Sequence, residues 1–263
     1  MNAHAKINLA LVVGPTRPDG KHEVSTVLQR IELADRIELE PAEQLRVDGF
    51  DGDTLVRGAL ERLAGAAGVD PLWAVLIDKA IPVAAGLGGG SSDAAAALRL
   101  ANETLDEPLS PGALHALAAE LGADVPFFLH EGPQLGEGDG SDLTPLDLPG
   151  PYTVLLVIPD SETKQSTRAV YAAFDERRGA DGYEHRRAQL LAALSAGDVA
   201  SFPPNDLGSS PLANELRALG AFRADVSGAG PAVYGLFDDP SLAEAAAARA
   251  ERHGRVWVGS PAW

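Results

Sequence analysis

The stretch Pro82-Val83-Ala84-Ala85-Gly86-Leu87-Gly88-Gly89-Gly90-Ser91-Ser92-Asp93 sets four glycines and two serines between an apolar run, Leu72 to Ile77, and an alanine-rich one, Ala94 to Leu100. With few side chains over its backbone, such a turn presents N–H groups to a ligand. Where it enters a helix, the unpaired amides of the first turn and the positive end of the helix dipole converge, which suits an oligophosphate. No Lys or Arg falls between Lys79 and Arg99, so the G-x-x-x-x-G-K-[ST] pattern is absent and a Walker-type loop is excluded. The cradle then relies on amides and on the hydroxyls of Ser91 and Ser92, which also read as N-caps of the helix they open. A glycine-rich turn alone is a weak signal, because glycine serves backbone freedom in many loops.

Lysine occurs only at Lys6, Lys21, Lys79 and Lys164, so each position stands out. Lys6 and Asn8 share one face of an alternating run, Ala3 to Val13, with the period of a half-buried strand. Taken alone, Lys6 reads as a solvent-exposed lysine at a strand edge and Asp124 as a cap between a helix and a loop. A Pro/Gly/Asp cluster, Gly14 to Gly20, precedes a second alternating run from His22 to Leu39, predicting an early hairpin. Apolar spacing predicts a helix over Asp53 to Ala67, a strand at Leu72 to Lys79 and a helix from Ser92 to Asn102. Ser110-Pro111 opens another helix that ends at Gly122, directly before Asp124-Val125-Pro126-Phe127-Phe128-Leu129. Residues 130 to 150 read as loop and short hairpin. Strands at Tyr152 to Ile158, Ala232 to Phe237 and Val256 to Val258 then mix with helices at Ser166 to Arg178, Arg186 to Leu194, Leu212 to Leu219 and Leu242 to His253, with Ala224 to Ser227 leading into a second glycine-rich turn. This mixed succession without a repeat favours α+β over a doubly wound sheet.

The chain has 263 residues, a formal net charge of −17, 45% hydrophobic residues and no cysteine. The inventory excludes disulfides, thiolate metal sites and a cysteine nucleophile. The acidity argues against nucleic acid as a partner, since that binding rests on Lys and Arg neutralising phosphates. No basic segment followed by an apolar one opens the chain and no apolar run approaches bilayer length, so a soluble, cytoplasmic protein without a membrane partner is expected. His115, His130, His185 and His253 show no paired spacing, and no protein metal site is predicted.

Pro82 to Ala95 resembles the nucleotide-binding motif of the GHMP kinases, and Ser227-Gly228-Ala229-Gly230-Pro231-Ala232-Val233-Tyr234 resembles the third motif of that superfamily. Ala5-Lys6-Ile7-Asn8-Leu9, Asp19-Gly20-Lys21-His22, Leu121 to Phe128 and Asn205-Asp206-Leu207 resemble its branch acting on a cytidyl diphosphate of methylerythritol, on the non-mevalonate route to isoprenoid precursors. The motifs span residues 5 to 234 in the family's order.

The resemblance implies a two-domain α+β GHMP kinase fold, with an N-terminal domain at 1–150, a C-terminal domain at 151–263, and ATP in a cleft between the halves. It implies phosphoryl transfer from ATP to a hydroxyl of that small-molecule acceptor, with Mg²⁺ arriving on ATP and keeping waters; it sets no oligomeric state. Such a transfer calls for a carboxylate to accept the hydroxyl proton and a cation to orient it. The resemblance puts these roles on Asp124 and Lys6, and the nucleotide on Pro82 to Ser92. It places Asn8, Lys21, His22, Thr167 and Tyr171 on the acceptor, with His22 reading the cytosine edge and Tyr171 supplying one face of an aromatic sandwich.

Lys21 stands where the family usually has tyrosine, so its stem can lie across a base or its ammonium can meet a phosphate, but it offers no second π face. His4 replaces a usual proline. Thr54 stands where the family tends to asparagine near the nucleotide, predicting altered adenine contacts. Two competing readings are another GHMP small-molecule kinase, which Lys21 leaves open, and a catalytically silent nucleotide-binding regulator, which the presence of both Lys6 and Asp124 disfavours.

Overall fold

The computed structural model describes residues 1–51, 55–160 and 166–263, so Asp53, Thr54 and Lys164 lie outside the described residues. The two alternating runs at the N-terminus form the expected hairpin, β1 (Asn2–Thr16) and β2 (His22–Pro41). Its turn is closed by Arg17 N–H donating to the Lys21 carbonyl at 2.7 Å, with Gly20 at φ +83°. The half-buried reading of β1 is corrected. Ala5 to Val13 are buried on both faces, with Lys6 and Asn8 at 3% and 4% exposure. Its polar face meets hydrogen-bond partners inside the protein rather than water, as burial of polar groups requires.

The chain forms two compact units: Met1–Ala5, Leu33–Val83 and Gly88–Glu131 make the first, and Lys6–Glu32, Ala84–Leu87 and Gly132–Trp263 the second. In the first unit come β3 (Arg46–Asp48), α1 (Leu55–Ala67), β4 (Trp73–Asp78), α2 (Gly89–Glu103) and α3 (Pro111–Leu121). The second half of β2 pairs antiparallel with β4, Arg36 opposite Asp78, and β4 pairs parallel with β3. α1 turns Val56, Ala59, Leu60 and Leu63 inward and lies against α2, whose buried Ala94 to Ala97 keep the helix surfaces close. α3 starts as its sequence predicts: the Ser110 hydroxyl accepts from Ala113 N–H, Pro111 holds the first position, and Gly122 follows the last turn.

Sequence spacing hid one pair. His115 Nδ1 and His130 Nε2 stand 3.1 Å apart, because a 3₁₀ turn, Pro126–Leu129, folds back toward α3. No group of three or more His, Cys, Asp or Glu side chains suited to a metal occurs among the described residues.

In the second unit the first half of β2 pairs with β5 (Gln134–Glu137), which pairs with β6 (Asp142–Pro145), the short hairpin expected there. A second sheet has the order β10-β7-β9-β8 and is antiparallel throughout, built from β7 (Thr153–Pro159), β8 (Arg223–Val226), β9 (Val233–Phe237) and β10 (Gly254–Gly259). Helices α4 (Thr167–Glu176), α5 (Tyr183–Ser195), α6 (Pro211–Ala218) and α7 (Pro240–Ala250) complete the unit. Leu216 of α6 and Ala243, Ala246 and Ala250 of α7 join Leu155, Val157, Val233 and Phe237 of the sheet in one core. The α+β expectation therefore holds, and no described helix is long and apolar enough to cross a membrane.

Where β4 leaves the sheet, the first unit gathers three ionisable groups, the buried Asp35 and Asp93 and the half-buried Lys79. Lys79 donates to the carboxylate of Asp35 and to Asp93 Oδ2, the latter at 2.8 Å, while Asp35 Oδ1 also takes the N–H groups of Ala80 and Ile81 at 2.6 and 2.8 Å. One ammonium cannot neutralise two buried carboxylates. Burial, which would lower the Lys79 pKa, is outweighed by its hydrogen bonds to Asp35 and Asp93, and the ammonium is held charged. Burial pushes Asp93 up to about 7 despite the bond from Lys79.

A carboxyl whose folded pKa exceeds its unfolded value lends stability that is complete in acid and is lost as pH rises through the folded pKa. Asp93→Asn is therefore expected to gain stability relative to wild type as pH rises from 3.8 to about 7, the window set by this shift. Urea midpoints measured across that range check it; a pH-independent difference would show that Asp93 does not titrate there.

Candidate active site

The glycine-rich loop divides between the units, Ala84–Leu87 belonging to the second and Gly88–Ser92 to the first. In the first unit α2 begins at Gly89, three residues earlier than its alanine pattern predicts, and Ser92 N–H already donates to the Gly88 carbonyl at 2.9 Å. The N-cap reading of Ser91 and Ser92 is thereby corrected. The cap is Gly88, in the left-handed conformation at φ +69° and with no side-chain hydrogen bond. Glycine holds that conformation without strain, and Gly88, Gly89 and Gly90 leave the amides of the first turn uncovered by side chains. Ser91 is partly exposed, while Ser92 is buried at 2%. Pro82 is half-buried and Val83 exposed, leading into an exposed Ala84 at φ +50°.

Asp124 also belongs to the first unit. It lies half-buried in the turn after α3, where Val125 N–H donates to the Gly122 carbonyl at 3.1 Å. The next residues, Val125 to Phe128, are buried, and the Phe127 and Phe128 rings meet edge-on at 5.1 Å. This apolar plug holds the turn that carries the carboxylate.

In the second unit Lys6 donates from Nζ to Asn8 Oδ1 at 2.6 Å. Asn8 Nδ2 donates to Thr26 Oγ1 at 2.8 Å, and that hydroxyl donates to the Ala10 carbonyl. The Asn8 side chain is thus used in orienting Lys6. Segment Ala84–Leu87 runs alongside: Lys6 N–H donates to the Leu87 carbonyl at 2.9 Å and Ala232 N–H to that of Ala85 at 3.0 Å. Ser227 Oγ donates to the Gly86 carbonyl at 3.0 Å and accepts from Asn8 N–H at 3.3 Å. Gly86, at φ +84°, comes so close to this turn that a Cβ there would sit 2.2 Å from the Ser227 carbonyl oxygen.

The acceptor residues predicted at the hairpin end gather in part. The His22 ring lies 4.9 Å from the Tyr171 ring, tilted by 35°, and edge-on to Phe174 at 5.8 Å. His22 Nε2 stands 2.8 Å from Asp175 Oδ1. Thr167 opens α4 in an exposed position after the Ser166 cap. The Lys21 ammonium pairs with the carboxylate of Asp139. Partial burial, which would raise the Asp139 pKa, is outweighed by hydrogen bonds from Lys21 and Ser141 that bring it down to about 2.

Sequence reasoning missed Thr26, Phe174 and Asp175, and assigned no individual role to Ser227. Asp175 was within reach, since it lies four residues after Tyr171 and shares its helix face. Thr26 carried no local signal, because only the pairing of β1 with β2 brings it to Asn8.

Two family models match this chain: the GHMP kinases N terminal domain over residues 54–132 and the GHMP kinases C terminal over 208–256. Among curated proteins it is 40% identical to the 4-diphosphocytidyl-2-C-methyl-D-erythritol kinase of Nocardia farcinica, covering 94% of this chain and 88% of that one. It is also 40% identical to the same-named kinase of Pelotomaculum thermopropionicum, covering 95% and 93%. A crystal structure of 4-(cytidine 5'-diphospho)-2C-methyl-D-erythritol kinase superposes with a TM-score of 0.81 at 32% identity, over 100% of this chain and 99% of that one. A mevalonate kinase structure, at 11% identity and a TM-score of 0.73, shares the fold.

The contact at Gly86 predicts opposite sensitivities within one loop. Gly86→Ala is expected to cost more than about 2 kcal/mol, because strain at positive φ adds to the clash with the Ser227 carbonyl. Ala84→Gly, on the exposed side, is expected to change stability by less than about 1 kcal/mol. Chemical denaturation of the two variants checks both, and a mild effect at Gly86 would contradict the contact.

Proposed function

Because the chain belongs to the 4-diphosphocytidyl-2-C-methyl-D-erythritol kinases of the GHMP superfamily, we propose the following division of its residues for that phosphoryl transfer. The enzyme phosphorylates 4-diphosphocytidyl-2-C-methyl-D-erythritol from ATP, a step toward isoprenoid precursors. The acceptor atom is the 2-hydroxyl, and the products are the 2-phosphate and ADP. The observation that carries the assignment is the buried Lys6 ammonium, held by Asn8 beside the turn that packs on Gly86. A buried ammonium beside a glycine-rich loop is placed to act on anionic groups where water screens them least.

In this reading Asp124 accepts the proton of the 2-hydroxyl as that oxygen bonds to the transferred phosphorus, and Lys6 orients the carboxylate and the acceptor. The backbone from Pro82 to Ser92 cradles the ATP phosphates, which suits the glycine cap of α2 and its lack of a side-chain cap. Ser91, at that open end, would meet a phosphate oxygen or the hydration shell of Mg²⁺. When bound with ATP, the Mg²⁺ neutralises charge on the transferring group. The acceptor's cytosine stacks on Tyr171 with its edge read by His22, while Lys21 and Thr167 line the same end and Asn8 contributes through Lys6. The domain division at 150/151 belongs to the same proposal, with Lys6, the loop and Asp124 in the N-terminal part.

Asp124→Asn should lower kcat by roughly 10²- to 10⁴-fold with little change in KM for ATP, as removal of a general base does. An ADP-coupled assay reads this, and near wild-type turnover in a folded variant would take the role from Asp124. In a competition panel with mevalonate, homoserine and galactose, the cytidyl compound should be the one phosphorylated. Lys21→Tyr should lower the KM for that compound about fivefold or more, since stacking on an aromatic is worth about 1–3 kcal/mol per base. An unchanged or higher KM would show that Lys21 does not occupy a stacking position.

A further inference from the structure

We infer that Asn205 is a positioning residue for Lys6: its side-chain amide fixes the turn at Ser227 and Gly228, and that turn sets where the ammonium stands. Asn205 is 7% exposed. Its Nδ2 donates to the carbonyl of Val226 at 3.0 Å and to that of Gly228 at 2.7 Å, so one amide grips the carbonyls on either side of Ser227. Its Oδ1 accepts from Leu207 N–H at 2.8 Å, and its own N–H donates to Asp225 Oδ2 at 2.9 Å. Both amide hydrogens are committed to the protein, so this side chain acts through the turn and not by touching a substrate.

The turn in turn touches Lys6. At Gly228, φ is +56°, and a Cβ would meet the Gly86 carbonyl oxygen at 3.2 Å and Asn8 Oδ1 and Lys6 Nζ each at 3.4 Å. The glycine backbone is therefore the wall against which the ammonium and its Asn8 partner rest. Movement of a few tenths of an ångström at Gly228 changes that wall directly.

The neighbouring residue closes the frame. Asp206 N–H donates to the Leu11 carbonyl at 2.9 Å, and Asp206 Oδ2 accepts from Val13 N–H at 2.8 Å and from Arg186 Nε at 3.0 Å. Residues 205 and 206 thus tie the turn and the far end of β1 to one short segment, holding the strand that carries Lys6 at two places. A displacement of the reacting groups by about 1 Å costs on the order of 100-fold in rate, so such fixtures matter even without substrate contact.

The test uses the scarcity of lysine: the full chain labelled at lysine Cε and Nζ gives only the signals of Lys6, Lys21, Lys79 and Lys164. Asn205→Asp keeps the shape but removes both donated hydrogens. It is expected to move the Lys6 signal and leave those of Lys21 and Lys79 in place, and to lower kcat by roughly 10- to 100-fold with the KM for ATP within about threefold. Ser227→Ala breaks the same linkage one step on and is expected to do the same, which keeps the test decisive if the Asn205 variant fails to fold. In the double variant the loss in kcat should not exceed that of the more severe single one, as expected for residues acting in series. An unmoved Lys6 signal in a folded variant, or additive losses, overturns the inference. The kinetic arm rests on the proposed phosphoryl transfer; absent wild-type turnover would tell against that reading, whereas the lysine spectrum judges Asn205 by itself.

Discussion

Backbone meets backbone at Gly86 and Ser227, with no side chain between them. That contact is available only because Gly86 takes a positive φ and carries no Cβ. Once the two segments are this close, the Ser227 hydroxyl can bridge from the Gly86 carbonyl to the Asn8 amide, and Asn8 can aim the Lys6 ammonium. The polar face of β1 is then satisfied while fully buried, which explains how a lysine at 3% exposure sits in the middle of a strand. Loss of the close approach would leave the Gly86 carbonyl, the Ser227 hydroxyl and the Asn8 amide without their shared bonds.

The first unit solves a different electrostatic problem around the start of α2. Its end is left without a side-chain cap, so the first-turn amides and the dipole stay available for an anion. A carboxylate one turn into that helix, Asp93, would add negative charge near the same place. Lys79 answers it, and Asp35 ties Lys79 to the backbone leaving β4. The proton that Asp93 retains toward neutral pH reduces the buried charge further. The lysine lies beside the loop yet serves the scaffold, consistent with a cradle made of amides.

Much of this was legible in the sequence because the signals are local. Ser110-Pro111 and Gly122 marked α3 through capping chemistry, and the hairpin of β1 and β2 followed from alternation on both sides of a Pro/Gly/Asp break. The start of α2 was misplaced because glycines, read as loop, are its first turn. The wet face of β1 was misread for a related reason: alternation reports that two faces differ, not that one of them meets water. His115 with His130, Asn8 with Thr26 and the ring contact of His22 with Tyr171 depend on residues far apart in the chain. The motif resemblance supplied the proposed roles of Lys6 and Asp124, which spacing alone left as a strand-edge lysine and a cap, while Asn205 was legible only as part of a motif.

A cradle of main-chain amides has no side chain that can be exchanged to retune it. Every residue except proline offers the same N–H, so sequence drift at exposed loop positions such as Val83 leaves those donors in place, whereas change at Gly86 is refused by geometry. The loop is therefore constrained by packing at Gly86 and tolerant of side-chain change at Val83. Under the proposed assignment, a compound seeking discrimination gains little from phosphate mimicry and more from the side chains around His22 and Tyr171. This chain offers no cysteine anywhere for covalent capture.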